Sequence, residues 1–154
     1  MKVLFVCLGN ICRSPTAHGV MLRKLKEAGL DWVEVDSAGT AAYHVGHAPD
    51  ERAQQVARQY GYDLSGLRAR QATEDDFFEF DHIFAMDNAN YQNLQAIKPA
   101  DSKAQLSMAL AYSDLSIDEV PDPYYGGSDG FTQVLNICEQ LCDDIIEQLI
   151  RSRS

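Results

Sequence analysis

The chain has 154 residues and a mass of 17.1 kDa, the length of one domain and enough to bury a core of its own. Hydrophobic residues make up 45% and charged residues 23%, which excludes wholesale disorder, and no apolar run approaches the ~20 residues of a bilayer span. Thirteen basic residues against 23 acidic ones give a net charge of −10, the wrong sign for nucleic acid or an anionic membrane surface, though a local nest of amides and one arginine can still hold a small anion.

The first residues lack the apolar stretch and small-residue cleavage site of a signal peptide. Cys7, Cys12, Cys138 and Cys142 show no CxxC spacing, so free thiols are expected rather than a disulfide framework or a metal site. The expectation is a cytoplasmic protein without metal or cofactor.

Val3–Cys7 is a continuous apolar run, as in a strand covered on both faces. A loop with Gly9 and Asn10 follows. Ser14 is the expected N-cap with Pro15 at the first helical position. Ala17, Val20, Met21, Leu25 and Ala28 then recur at helical spacing, and Gly29 closes the helix. Val33 and Val35 alternate with Glu34 and Asp36 in a second strand that ends near Ser37-Ala38-Gly39. The spacing predicts a helix over 49–60, a short acidic helix around 74–78, a third strand over 82–86 and a helix over 88–97. A weaker fourth strand falls at 106–110. The last helix carries one apolar stripe from Phe131 to Leu149, roughly 30 Å long. Strands alternating with helices predict the α/β class: residues 1–154 as a single domain, with a parallel sheet and helices on both faces. Ligands in such sheets sit beyond the carboxyl ends of the strands, which points to the loop after Cys7.

That loop, Cys7-Leu8-Gly9-Asn10-Ile11-Cys12-Arg13-Ser14, joins a buried strand to a helix N-terminus. Such a junction can turn the main-chain N–H groups of Leu8, Gly9, Asn10, Ile11, Cys12 and Arg13 inward as an anion cradle, backed by the helix dipole. Gly9 and Asn10 tolerate the left-handed backbone that a ring of this kind needs. The spacing of Cys7 and Arg13 sets a sulfur at the base of the cradle and a guanidinium at its rim, with Ser14 able to donate to the sulfur. Thiols at helix N-termini beside positive charge ionise at about pH 3.5–7.5, so Cys7 is expected to be a thiolate nucleophile. An arginine fork matches two phosphoryl oxygens. Together these make the equipment for phosphoryl transfer through a cysteinyl-phosphate. A cysteine at a strand end is, by itself, as often an inert small hydrophobe; the full string from Cys7 to Pro15 carries the reading. Neither GxxxxGK[ST] nor GxGxxG is present, so nucleotide-binding loops have no support.

Cys7–Pro15 resembles the active-site loop of the low-molecular-weight protein tyrosine phosphatases. The resemblance covers nearly the whole chain. Asp36-Ser37-Ala38-Gly39-Thr40, Val45-Gly46 with Pro49-Asp50, Ala69-Arg70-Gln71 and Asp122-Pro123-Tyr124-Tyr125-Gly126 occur in that family's order. It implies a four-stranded parallel sheet in the order 2-1-3-4, with the phosphate-binding loop after strand 1. It also implies hydrolysis of phosphotyrosine in proteins, and of small aryl phosphates, without metal or cofactor. The implied partners are a tyrosine-phosphorylated protein and a phosphate or other oxyanion on the loop, with no nucleic acid and no membrane.

Asp122 stands out among many carboxylates because Pro121 and Pro123 flank it and stiffen a loop tip. The resemblance makes it the general acid for the leaving phenolate and then the base that deprotonates water. Tyr124 and Tyr125 are either ordinary packing or a cleft wall that stacks on the substrate ring. Tyr43 stands where many relatives carry tryptophan and is placed on the opposite wall, with His44 nearby; His44 and His47 otherwise read as solvated loop residues. Ile11 projects from the loop toward a flat ring. Family members specific for arginine phosphate carry threonine there, so Ile11 favours tyrosine phosphate. Ser14, Asn10 and Ser37 are expected to support the loop, Ser37 bonding to the asparagine from the neighbouring strand end. Leu67 stands where family members often have a histidine, a departure within that bracing network.

Cys12 is placed to trap an oxidised Cys7 as a reversible disulfide, while Cys138 and Cys142 fit core positions. Two other functions use a similar loop: arsenate reduction, which needs further cysteines to relay electrons, and phosphate binding without turnover. Aromatic residues at the rim are compatible with a monomer or weak self-association.

Overall fold

The structure, a computed structural model, describes residues 1–124 and 128–153. Tyr125 lies outside the described residues. β1 (Lys2–Cys7) runs through the middle of a parallel sheet between β2 (Glu34–Gly39) and β3 (His82–Ala85). β4 (Gln105–Met108) pairs with β3, so the order is β2-β1-β3-β4, as expected. Cys7 lies opposite Gly39, and Val6 opposite both Ala38 and Ala85, so the carboxyl ends converge at one edge.

Successive side chains of a strand face opposite ways, and β1 serves two cores. Val3, Phe5 and Cys7 join the cluster built on α1 (Arg13–Glu27) and α5 (Ser128–Arg153). Leu4 and Val6 join the cluster of Phe77 from α3 (Asp76–Glu79) and Leu94 from α4 (Asn88–Ile97). This two-sided burial explains why the strand reads as an unbroken apolar run. α2 (Glu51–Gln59) packs on α5 and places Ala57 in the first cluster.

Several boundaries differ from expectation. α1 begins at Arg13 with Cys12 as its N-cap, not at Pro15 with Ser14 as cap. The Ser14 hydroxyl is engaged elsewhere, and Pro15 sits in the first turn, where its missing N–H leaves nothing unpaired. At the other end Gly29 adopts φ +69°, and the Leu30 N–H closes back on the Leu25 carbonyl at 3.0 Å. α2 is shorter than predicted because Asp50 caps it, accepting from the Arg52 N–H at 2.8 Å. α3 is displaced toward Glu79, and β4 stops at Met108. α5 has 26 residues, about 39 Å at 1.5 Å per residue. Among the described residues no helix is long and apolar enough to cross a membrane.

Phe5 is fully buried and its ring stacks on Phe84 at 5.8 Å. Phe5→Ala is expected to cost about 3–5 kcal/mol of unfolding free energy in a urea titration. A loss under about 1 kcal/mol would contradict the packing described for β1.

Candidate active site

β1 ends at Cys7 and the chain turns through residues 8–12 into α1. The turn passes through Asn10, whose φ of +58° is the one positive value among the described non-glycine residues. Its side chain holds it there. Nδ2 donates to Ser14 Oγ at 2.8 Å, and Oδ1 accepts from the Arg70 N–H at 3.0 Å. Neighbouring segments tie down the carbonyls: those of Cys7, Leu8 and Ile11 accept from the N–H groups of Thr40, Ala41 and Asp50 at 2.9, 2.9 and 2.8 Å. Among the described residues the N–H groups of Leu8, Gly9, Ile11 and Cys12 donate to no backbone carbonyl. Carbonyls fastened outward and donors left over are the composition of an anion nest.

At its base the Cys7 sulfur accepts from the Asn10 N–H at 3.3 Å and lies 3.0 Å from Ser14 Oγ. The Ser14 hydroxyl also lies 3.3 Å from the Ala38 carbonyl. Arg13 is 2% exposed. Its Nη1 donates to Asp87 Oδ2 at 2.6 Å and to the Val120 carbonyl at 3.1 Å, and Nη2 lies 3.7 Å from Asp122 Oδ2. Burial works against its charge, but the Cys7 sulfur and the Asp87 carboxylate outweigh it and raise the guanidinium's pKa. Asp87, which caps α4 through the Asn90 N–H at 2.8 Å, is thus an arginine-holding residue that the sequence analysis missed.

Asp122 reaches the same place from a different segment. Pro123 is buried against Gly130 of α5, and Asp122 Oδ1 accepts from the Tyr124 N–H at 3.0 Å. The resulting cleft has Cys7, Leu8, Gly9, Ile11, Cys12 and Arg13 as its floor. Tyr43, His44, Asp122 and Tyr124 wall it. Tyr43 is 74% exposed, so its part of the wall is the rim. His44 is not simply a solvated loop residue. A Cβ on Gly9 would come within 2.9 Å of its ring, and its ring centroid is 6.3 Å from that of Tyr124.

Ser37 does not bond to Asn10; its hydroxyl pairs with His18 Nδ1 at 2.9 Å. Arg70 supplies the brace instead. Its main chain holds Asn10, while its guanidinium grips both oxygens of Asp76 at 3.0 and 3.1 Å and Asp36 at 3.1 Å. Leu67 packs partly buried against the first core. His18 and Asp76 carry no local pattern, and the Ala69-Arg70-Gln71 motif marks Arg70 without its bracing role; only convergence in space shows it. Cys12 is buried, which pushes its thiol pKa up, and Cys138 and Cys142 are wholly buried with the same effect. Among the described residues no His, Cys, Asp or Glu group is arranged to hold a metal.

The sequence model of the family described as "Low molecular weight phosphotyrosine protein phosphatase" matches residues 2–154. The chain belongs to that family. A low molecular weight phosphotyrosine protein phosphatase of Schizosaccharomyces pombe is 46% identical over 134 residues, 85% of each chain. A protein tyrosine phosphatase of Entamoeba histolytica, solved with Hepes in its active site, superposes with a TM-score of 0.94 at 41% identity, covering 100% of this chain and 99% of that one. A Drosophila arginine phosphatase superposes with a TM-score of 0.91 at 32% identity, covering 97% and 98%. The activity these relatives are named for is protein-tyrosine-phosphatase.

Asn10 offers a test of the cradle. Asn10→Gly keeps the left-handed turn and loses the brace, whereas Asn10→Ala loses both. Both variants are expected to lower kcat/KM on an aryl phosphate by about tenfold or more. The alanine variant should also unfold about 1 kcal/mol more easily than the glycine one.

Proposed function

We propose that this phosphatase hydrolyses phosphotyrosine in proteins, and small aryl phosphates, by two successive displacements at Cys7. The observation that carries the reading is the sulfur's position: the Asn10 N–H reaches it and Ser14 Oγ lies 3.0 Å away, at the floor of a cleft bordered by Arg13 and by N–H groups that, among the described residues, donate to no backbone carbonyl. Hydrogen bonds to sulfur favour its anionic form. The Ser14 proton can serve either Cys7 Sγ or the Ala38 carbonyl, and an ionised sulfur draws it to Cys7.

A phosphoryl dianion enters the ring of N–H groups. Asp87 and Val120 hold Nη1 of Arg13, leaving the other side of the fork for two phosphoryl oxygens. The sulfur attacks phosphorus, an S–P bond forms, and the P–O bond to the phenol breaks. Asp122, carried to the mouth by its proline-flanked loop, gives its proton to the departing oxygen. The same carboxylate then takes a proton from water as that water attacks phosphorus. The S–P bond breaks, the thiolate is restored and inorganic phosphate leaves. Ile11 and Tyr124 line the cleft and offer apolar surface to a flat ring. Ile11 is also the ground for preferring phosphotyrosine over phosphoarginine, despite the likeness to the Drosophila enzyme. Four free cysteines suit a reducing compartment such as the cytoplasm.

Cys7→Ser is expected to abolish hydrolysis while the unfolding transition stays in place; retained turnover would reject the mechanism. Asp122→Ala should slow hydrolysis by about 10²–10⁴-fold, most for poor leaving groups.

Oxidation belongs to the same reading. Peroxide converts the Cys7 thiolate to a sulfenic acid; Cys12 attacks that sulfur, water leaves and a disulfide forms, which a thiol reductant reverses. Mass spectrometry after peroxide treatment should find a Cys7–Cys12 cross-link. Overoxidised Cys7 without a cross-link would dispose of it.

A further inference from the structure

Arg52 lies on none of the cleft's walls, yet it connects the cradle to the segment that carries Asp122. The Asp50 N–H donates to the Ile11 carbonyl at 2.8 Å, which fastens the start of α2 to the cradle. The Asp50 carboxylate then grips the Arg52 side chain in two places, Nε at 3.0 Å and Nη2 at 2.9 Å. The pair is ionised throughout the neutral range: hydrogen bonding from Arg52 holds the Asp50 carboxyl below its ordinary pKa. Clamped in this way, the guanidinium lies over two rings, with Cζ 4.7 Å from the centroid of Phe131 and 5.4 Å from that of Tyr124. Phe131 belongs to α5, and the Tyr124 N–H is bonded to Asp122. A path of contacts runs from Ile11 through Asp50, Arg52 and Tyr124 to Asp122. Pro123, packed on Gly130, also anchors the segment.

We propose that Arg52 is a positioning residue: its guanidinium, fixed by Asp50 and laid on Tyr124, holds residues 121–124 at the mouth of the cradle so that Asp122 meets the leaving oxygen. The proposal rests on the reading of Asp122 as general acid. Cation–π contact depends on a planar cation placed over the ring, and the two-point grip of Asp50 keeps the plane in place. Lysine would keep the charge but neither the plane nor the second contact.

The test is a leaving-group series. kcat/KM is measured on aryl phosphates of increasing phenol pKa for the wild type, Arg52→Gln, Arg52→Lys, Asp122→Asn and the Arg52→Gln/Asp122→Asn double variant. Arg52→Gln is expected to steepen the dependence on phenol pKa, with a loss of about tenfold at phenyl phosphate that shrinks as the phenol becomes more acidic. Arg52→Lys should steepen it as well. In the double variant the slope should match that of Asp122→Asn alone, and inhibition by inorganic phosphate should stay within about twofold of wild type for Arg52→Gln. An equal loss at every leaving group with a lowered melting temperature would mark a merely structural residue and overturn the proposal, as would an unchanged slope. Weakened phosphate inhibition would overturn it too, by placing the effect in the cradle. If Arg52→Gln fails to fold, the slope of Arg52→Lys decides. A slope unmoved by Asp122→Asn would instead reject Asp122 as the acid, a failure distinct from that of Arg52.

Discussion

The left-handed turn at Asn10 is the constraint on which the cradle depends. A non-glycine residue in that region costs about 1–2 kcal/mol unless its surroundings hold it. Here both polar atoms of the side chain are engaged, one with Ser14 and one with Arg70. The same two contacts shape the site. The bond to Ser14 sets the hydroxyl beside Cys7, and the bond to Arg70 ties the loop to residues 70–72, which run alongside the end of β2. Arg70 is held in turn by Asp36 and Asp76, from β2 and α3. The cradle's geometry is therefore set by three segments far apart in sequence, and the short loop alone would not keep it.

An acidic protein that receives an anion must keep carboxylates from occupying the cation first. Arg13 has two near neighbours of this kind, at different distances. Asp87 is in full contact through Nη1, while Asp122 stands 3.7 Å from Nη2. In the proposed reaction the first contact is permanent and orients the fork, and the second is the one a phosphoryl dianion displaces. The incoming dianion thus takes the place of Asp122 at Nη2 while Asp87 keeps the fork oriented, and the distance between arginine and aspartate is what makes that exchange possible.

Much of this architecture was legible in the sequence where the signal is local. The apolar run of β1, the stripe of α5, the helix over 88–97 and the Cys7–Pro15 string each reflect burial or spacing within one segment. The start of α1 was misplaced by this local logic. Ser14 is a favoured cap residue, but its hydroxyl faces Cys7 and Ala38, so the helix opens without a side-chain cap. Ser37 was placed in the right neighbourhood and given the wrong partner, because His18 approaches it from α1. Asp87 and Arg52 had no local mark, and His44 had only its place beside Tyr43. Their positions depend on contacts with residues dozens of positions away, and chain-order periodicity carries no information about those.

The buried thiols of α5 bear on the choice between hydrolysis and arsenate reduction. Reduction needs a cysteine that can leave the site, carry an electron pair and meet an external reductant. Cys138 and Cys142 are fully buried, and their sulfurs face the carbonyls of Arg13 and Ala17 on α1 at 4.0 and 3.6 Å. Neither residue lines the cleft, which Cys12 does. Reaching them would require α1 to separate from α5, and α1 begins with the arginine of the cradle. A relay through these residues would dismantle the site it was meant to serve, whereas two displacements at one sulfur leave the α1–α5 packing untouched.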